Sequence, residues 1–260
     1  MAERWHDGAL TENYFTGPVA REYAARWPHL FDPAVVEPAV AFLAARAGTG
    51  PVLELGIGTG RLALPLSRRG LRVHGIELSP DMVEELRRQP GADAIDVTIA
   101  DFATSTAVGR AATFSLAYLV RNAIMNLTTQ DMQVACFRNV AAHLVPGGRF
   151  VMEVLVPELR RLPAGSSVRA FEADPAHVGI DRYDVAAQGV VSWHAWMRET
   201  GITTFAAPFR YVWPGELDLM ARLAGMERRE RWADWDETPF TSESRSHISV
   251  WEKTGEPTGL

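Results

Sequence analysis

Two periodicities share this chain. Apolar runs of strand length fall at 51–56, 71–77, 95–100, 113–120 and 149–155. Stretches at 60–69, 80–89 and 129–143 instead place apolar residues three and four apart, as an amphipathic helix does. Strands alternating with helices predict a parallel sheet covered on both faces. Ahead of it, 18–27 and 33–46 read as helices, the second with Val36, Ala39, Phe42 and Leu43 on one face. The segment between Asp101 and Ala112 is short and turn-rich, so a helix there is stunted or absent.

The pattern changes after Pro157. Residues 167–213 read as an antiparallel meander. Val191, Trp193, Ala195 and Met197 alternate with Ser192, His194, Trp196 and Arg198, and Thr203, Phe205, Ala207, Phe209 and Tyr211 alternate on the return strand after a turn at Gly201. The two runs predict a hairpin with one apolar face. A helix over 214–225, opened by Pro214 and stopped by Gly225, and strands at 227–235 and 247–253 complete the chain. The expected organisation over 1–260 is one domain: a helical cover (1–50), a core (51–156), a meander lid (157–213), and the last helix and strands of the core (214–254).

The chemistry begins where the first strand breaks into Gly56-Ile-Gly58-Thr-Gly60. These glycines can take positive φ and let a ligand lie against bare backbone, and the following helix offers free N–H groups. A phosphate-binding P-loop needs Gly-Lys-Ser/Thr, which is absent. A dinucleotide loop is not separated by the glycines alone. Glu54, just before the loop, tips the balance: it would repel a pyrophosphate and tolerate a sulfonium with an amino-acid tail. The second strand ends at Glu77, where such folds use a carboxylate to grip ribose hydroxyls, and the third ends at Asp101-Phe102.

Glu54-Leu-Gly-Ile-Gly-Thr-Gly60, Glu77, Asp101-Phe102 and the turn Leu144-Val-Pro-Gly-Gly-Arg-Phe150 resemble, in order, the landmarks of class I S-adenosylmethionine (SAM)-dependent methyltransferases acting on small molecules. The resemblance implies an α/β fold, a Rossmann-like doubly wound, mostly parallel seven-stranded sheet with an antiparallel β-meander lid inserted after the fifth strand. It also implies SAM as cofactor, S-adenosylhomocysteine (SAH) as product, and a SAM site formed by Tyr14, Glu54, Gly56, Gly58, Gly60, Glu77, Leu78, Asp101, Phe102 and Leu119. Asp101 would hold the adenine amino group and Phe102 stack on the ring. Two alternatives remain at this point, an NAD(P)-dependent oxidoreductase on a similar fold and a non-catalytic SAM-binding module.

Catalytic candidates are His194, Glu153, Arg121, Asn122 and Tyr14. The fourth strand ends at Arg121-Asn122, where the resemblance places the reactive methyl and where many relatives carry an apolar or aromatic residue, so arginine is a departure. It suits an anionic group of the acceptor. Glu153 is a carboxylate inside an apolar strand, costly unless paired or near a cleft. His194 is the best-placed histidine for a general base, which a hydroxyl acceptor would use and an amine would not need.

Composition narrows the partners. At 260 residues and 47% hydrophobic the chain can bury one sizeable core, and its net charge of −6 argues against nucleic acid. The single cysteine, Cys136, rules out a disulfide framework or thiol metal cluster, so no metal is expected. No run reaches membrane-span length, so a soluble, cytoplasmic protein acting on a small molecule is expected, with a homo-oligomer left open.

Overall fold

The computed structural model describes residues 13–105, 112–199 and 201–254. Seven strands form the main sheet: β1 (Val52–Leu55), β2 (Val73–Glu77), β3 (Asp96–Ile99), β4 (Phe114–Leu119), β5 (Leu144–Leu155), β10 (Met226–Trp232) and β11 (Ser246–Lys253). Their order is β10-β11-β5-β4-β1-β2-β3, parallel from β5 to β3, with β11 antiparallel to both its neighbours. The strand order reverses at β1, which pairs with β2 on one side and β4 on the other, and a doubly wound sheet opens its ligand crevice at such a point.

Helices cover both faces because the strands bury both. Leu53 and Leu55 of β1 join one core cluster and Val52 the other. Against the first pack α6 (Gln130–His143) and α7 (Pro214–Leu223), whose Phe137 meets Phe150 and Trp251 at ring-centroid distances of 5.3 and 5.5 Å. Against the second pack α3 (Pro33–Arg46), α4 (Ala63–Arg68) and α5 (Pro80–Arg87). The caps are those the sequence offers: Asp32 accepts from Ala34, Ser79 from Met82 and Thr129 from Met132.

Several boundaries shift. The helix read over 18–27 is two short ones, α1 (Pro18–Arg21) and α2 (Tyr23–Arg26), joined at Glu22. The helix read from residue 60 becomes regular only at Ala63, although Leu64 N–H already donates to Gly60 O at 3.0 Å. Strand β5 starts at Leu144, five residues early, because Leu144 already pairs with Phe114 before the register slips to Leu116 and Arg149. Residues 106–111 of the segment read as turn-rich lie outside those described.

A second, antiparallel sheet occupies the chain between β5 and α7, in the order β6 (Val168–Ala173), β7 (His177–Asp184), β8 (Gly189–Arg198) and β9 (Gly201–Arg210). The hairpin's inner face is not the one that hydrophobic alternation on β8 suggests. His194 lies opposite Phe205 and Ser192 opposite Ala207, so the face carrying Phe205, Ala207 and Phe209 also carries Val190, His194 and Trp196. Val190, Trp196 and Ala207 are buried, whereas Trp193 is 37% exposed. A polar-looking strand face is inside because partners on other elements satisfy it.

The base of this sheet is fixed by a buried polar junction. Arg210 pairs with Glu216 of α7 at 2.7 Å, donates to Gln188 at 2.8 Å, and also donates to Gln133 of α6. Gln133 in turn donates to the carbonyls of Arg210 and Ile124. Every charge in the junction has a partner, which is what makes its burial tolerable. Among the described residues no helix is long and apolar enough to cross a membrane.

Candidate active site

The glycine loop after β1 is shaped by its backbone. Gly56, Gly58 and Gly60 have φ of 68°, 55° and 80°, as anticipated for residues that must turn left-handed. Gly56 and Ile57 both donate to Ile76 O, at 2.8 and 3.1 Å. Ile57 then lies on Gly75 of β2, where an added Cβ would sit 2.4 Å from its Cδ1, so only glycine lets the loop come this close.

Glu77 ties the loop to the end of β2. One carboxylate oxygen accepts from Gly58 N–H at 2.8 Å and the other from Ser79 N–H at 2.9 Å. A carboxylate has about four lone-pair directions, so acceptor capacity remains for a ligand's hydroxyl. Burial pushes the Glu77 carboxyl up, and the N–H groups of Ser79, Gly58 and Leu78 oppose it. Asp101 is held similarly: one oxygen accepts from Ala103 N–H at 2.8 Å. The side-chain amide of Asn139 donates to Phe102 O at 2.9 Å and fixes the aromatic next to it.

Glu54 is fully enclosed at the end of β1. The Tyr118 hydroxyl donates to it at 2.7 Å. Burial nevertheless pushes its carboxyl up to about 8, with Tyr118 and the Arg61 guanidinium working against the rise.

The roof comes from the N-terminal segment. Gly17 N–H donates to Asp81 at 2.6 Å and the Ser79 hydroxyl to Phe15 O at 2.5 Å, which lays Tyr14 and Phe15 over the loop. Tyr23 of α2 packs among Phe15, Trp27 and Phe31, with ring centroids 6.2, 4.9 and 6.3 Å away. Pro208 of β9 closes the remaining side.

At the end of β4 the backbone is strained. Arg121 and Asn122 both sit in the left-handed region, with φ of 57° and 61°. The neighbouring strand holds them there. Glu153 takes Arg121 N–H on one oxygen at 2.8 Å and the Trp235 indole N–H on the other at 3.2 Å. Its carbonyl takes Asn122 N–H at 3.3 Å, and the Asn122 side chain accepts from Leu155 N–H at 2.7 Å.

These walls bring together Tyr14, Glu54, Gly56, Gly58, Glu77, Leu78, Asp101, Phe102 and Arg121 around one cleft of about 160 Å³. Five other residues expected at the site lie elsewhere. Gly60 faces a separate crevice behind the loop, and Leu119 is buried in the core. Asn122 and Glu153 do not line the cleft; their side chains brace the β4 turn beside it. His194 is outside the cleft altogether. Its ring hydrogen-bonds His177 at 2.9 Å and packs with Trp196, Phe205 and Trp27, and burial beside His177 pulls its pKa down to about 4. The sequence reading missed Arg61, Asn126, Leu127 and Pro208, all of which line the cleft. Arg61 had a signal, since it follows Gly60 directly; Pro208 had none, because its place depends on how the second sheet leans on the first.

The family described as a methyltransferase domain matches residues 52–148, from β1 into the β5 turn. Over most of its length the chain is similar to the CcbJ methyltransferase from Streptomyces caelestis: 36% identity over 84% of this chain and 89% of that one, with a TM-score of 0.76. This chain belongs to the class I SAM-dependent methyltransferases. It is also 29% identical over 213 residues to a cypemycin N-terminal methyltransferase from a Streptomyces species, covering 78% of this chain and 82% of the relative. The fold is further shared with SAM-bound CalS10, an amino pentose methyltransferase from Micromonospora echinaspora, at 23% identity over 96% and 100% of the two chains and a TM-score of 0.66. The cofactor of this methyltransferase is therefore SAM, and the oxidoreductase and non-catalytic readings fall away. The cleft fits that ligand: acids at the ends of β2 and β3, an enclosed carboxyl at the end of β1 and an arginine on the loop.

Proposed function

We propose that this methyltransferase acts on a nitrogen or oxygen of a small molecule of the specialised-metabolite kind, and that the acceptor is an amine attacking in its neutral form. One observation carries the choice of nitrogen. Among the described residues, the β4 end of the cleft offers no side chain suited to take a proton from a hydroxyl: both Glu153 oxygens are engaged, and His194 lies in another cluster with a pKa of about 4. An amine needs no such base once neutral. The relative that acts at the N-terminus of cypemycin supports the same choice.

In this reading Glu77 receives the ribose hydroxyls, Asp101 the adenine amino group, and Phe102 the ring. Arg61 and Tyr14 hold the methionine carboxylate and Glu54 its ammonium. Bound SAM supplies a sulfonium-activated methyl, which passes in line to the acceptor as SAH departs neutral. The protein's share is alignment and exclusion of water. The cavity, about 160 Å³, is below the roughly 300–1,000 Å³ of small-molecule sites. Entry of SAM and acceptor in this reading requires segment 13–17, tethered to Asp81 and Ser79, to release from its place over the cleft.

The test is a screen with methyl-labelled SAM against panels of primary amines, phenols and carboxylic acids, with the labelled atom located by mass spectrometry. Label on nitrogen is expected. Label confined to oxygen, in phenols or acids, would sink the amine reading.

A further inference from the structure

The β4 end of the cleft presents an exposed arginine, Arg121, with no protein partner for its side chain among the described residues. Among the described residues the Arg121 side chain makes no hydrogen bond and no ion pair, although its own backbone is braced by the carboxylate that stands nearest. Glu153 has both oxygens occupied, by Arg121 N–H and by the Trp235 indole. The other acids of the cleft are committed at its far end: Glu77 to the loop, Asp101 to its own turn and Glu54 to Tyr118. The Tyr23 hydroxyl also has no hydrogen-bond partner among the described residues; burial pushes its pKa up, and the nearby Arg121 and Arg61 guanidinia oppose the rise. Around these two polar groups the wall is apolar, from Val120, Ala123, Leu127 and Pro208.

SAM brings one carboxylate and two positive charges into this cleft. Arg61, on the glycine loop beside Glu54, is placed for the carboxylate. Arg121 is then free to meet an anion that arrives with the acceptor, exchanging solvent for a charge-matched partner. Two consecutive left-handed residues are held by three hydrogen bonds, which turns the β4 end toward the cleft and not along the strand.

We propose that Arg121, with the Tyr23 hydroxyl, seats a carboxylate carried by the methyl acceptor, so that the substrate is an acid with an apolar body and not a neutral or purely basic amine. The proposal rests on the small-molecule reading above and narrows its substrate class. Guanidinium and carboxylate match in shape and charge, and a phenol O–H adds a second donor.

The experiment is a calorimetric titration of the SAH-loaded protein with benzoate and phenylacetate, and with benzamide and phenylacetamide as neutral controls. A charge-assisted pair predicts that the acids bind about tenfold or more tightly than the amides. Arg121→Gln should erase the difference and Arg121→Lys keep part of it, both with SAH affinity intact. Equal binding of acid and amide, or no binding of either, overturns the proposal. So does an Arg121→Gln protein that loses affinity for SAH but keeps it for 5′-methylthioadenosine, because Arg121 would then serve the cofactor's carboxylate. The two readings fail separately: a protein that prefers the acids but methylates no amine defeats the nitrogen assignment, and one that methylates amines with no preference for acids defeats this inference alone.

Discussion

At the glycine-loop end of the cleft, Glu77 holds two backbone N–H groups, Asp101 a third and Glu54 a phenol. At the β4 end, the backbone is just as firmly braced, yet Arg121 and the Tyr23 hydroxyl hold nothing among the described residues. The first end is finished before a ligand arrives. The second is a rigid frame around polar groups that a ligand must complete. A cofactor common to a family suits the first arrangement, and an acceptor peculiar to one enzyme suits the second. The difference can be broken from either side.

The largest effect is expected at Glu77. Glu77→Ala removes the ribose partner and also frees the Gly58 and Ser79 N–H groups, so two tethers of the loop go with it. Hydrogen bonds to a charged group are each worth about 1.5–3 kcal/mol, which predicts a loss of SAH affinity on the order of a hundredfold or more. Calorimetry reads it directly. An unchanged affinity would mean that the loop end is not preformed.

Next comes the proton on Glu54. In the free protein burial holds its carboxyl near 8, above the ordinary value of 4.5. A cationic ligand placed beside it favours the ionised form and drives the proton off. SAM affinity should therefore climb up to about tenfold per pH unit as pH rises toward 8, and level off above it. Titrations in buffers of different ionisation enthalpy should register the proton released at pH 7, and Glu54→Gln should abolish both signals. The same group fixes a sign for stability. Its folded pKa is raised, so its contribution is fully present below about 4.5 and is lost as pH rises through about 8. The Glu54→Gln protein should show a flatter stability profile across that window.

How far the sequence could be read divides along the same line. The places of Glu54, Gly56, Gly58, Glu77 and Asp101 along the cleft were legible because each sits at or beside a strand end fixed by local pattern; Gly60, on the same loop, turns to another crevice. Glu153 was flagged for a sound reason, a carboxylate in an apolar strand, but its purpose is to brace a neighbouring turn, which depends on β4 lying alongside β5. His194 was harder still. Alternation along β8 alone makes Trp193 look buried and His194 look exposed; the register with β9 and the arrival of Trp27 reverse the two. Non-local packing decides what one strand's pattern cannot.

His194 therefore carries a sharper test of the boundary between the cleft and its cover. As a ring in the joint between α2 and the second sheet it should be replaceable: His194→Phe is expected to keep kcat within about twofold, whereas loss of a general base costs about 10²–10⁴. Its folded pKa is depressed to about 4 from 6.5, so the stability it lends is lost as pH falls from 6.5 toward 4. The variant should be less sensitive than the wild type to acid in that window. A kcat drop with no change in acid stability would return His194 to the chemistry.

The smallest effect is expected on the outer face of the same hairpin, and it tests the register itself. Trp193 is 37% exposed, with the Arg182 guanidinium 5.2 Å from its ring centroid, and it points away from the face that holds His194 and Trp196. An exposed cation–π contact is worth about 0.5–1 kcal/mol, so Trp193→Ser should cost no more than about that and leave turnover untouched. Trp196→Ser, two residues on but turned against Trp27 and Arg26, should cost several times as much, in line with the roughly 3–5 kcal/mol of large aromatic truncations. Thermal or denaturant unfolding of the pair measures the ratio. If the two costs were equal, or reversed, β8 would be slipped by one residue against β9, and its side chains would exchange faces, with Trp193 inside and His194 and Trp196 outside.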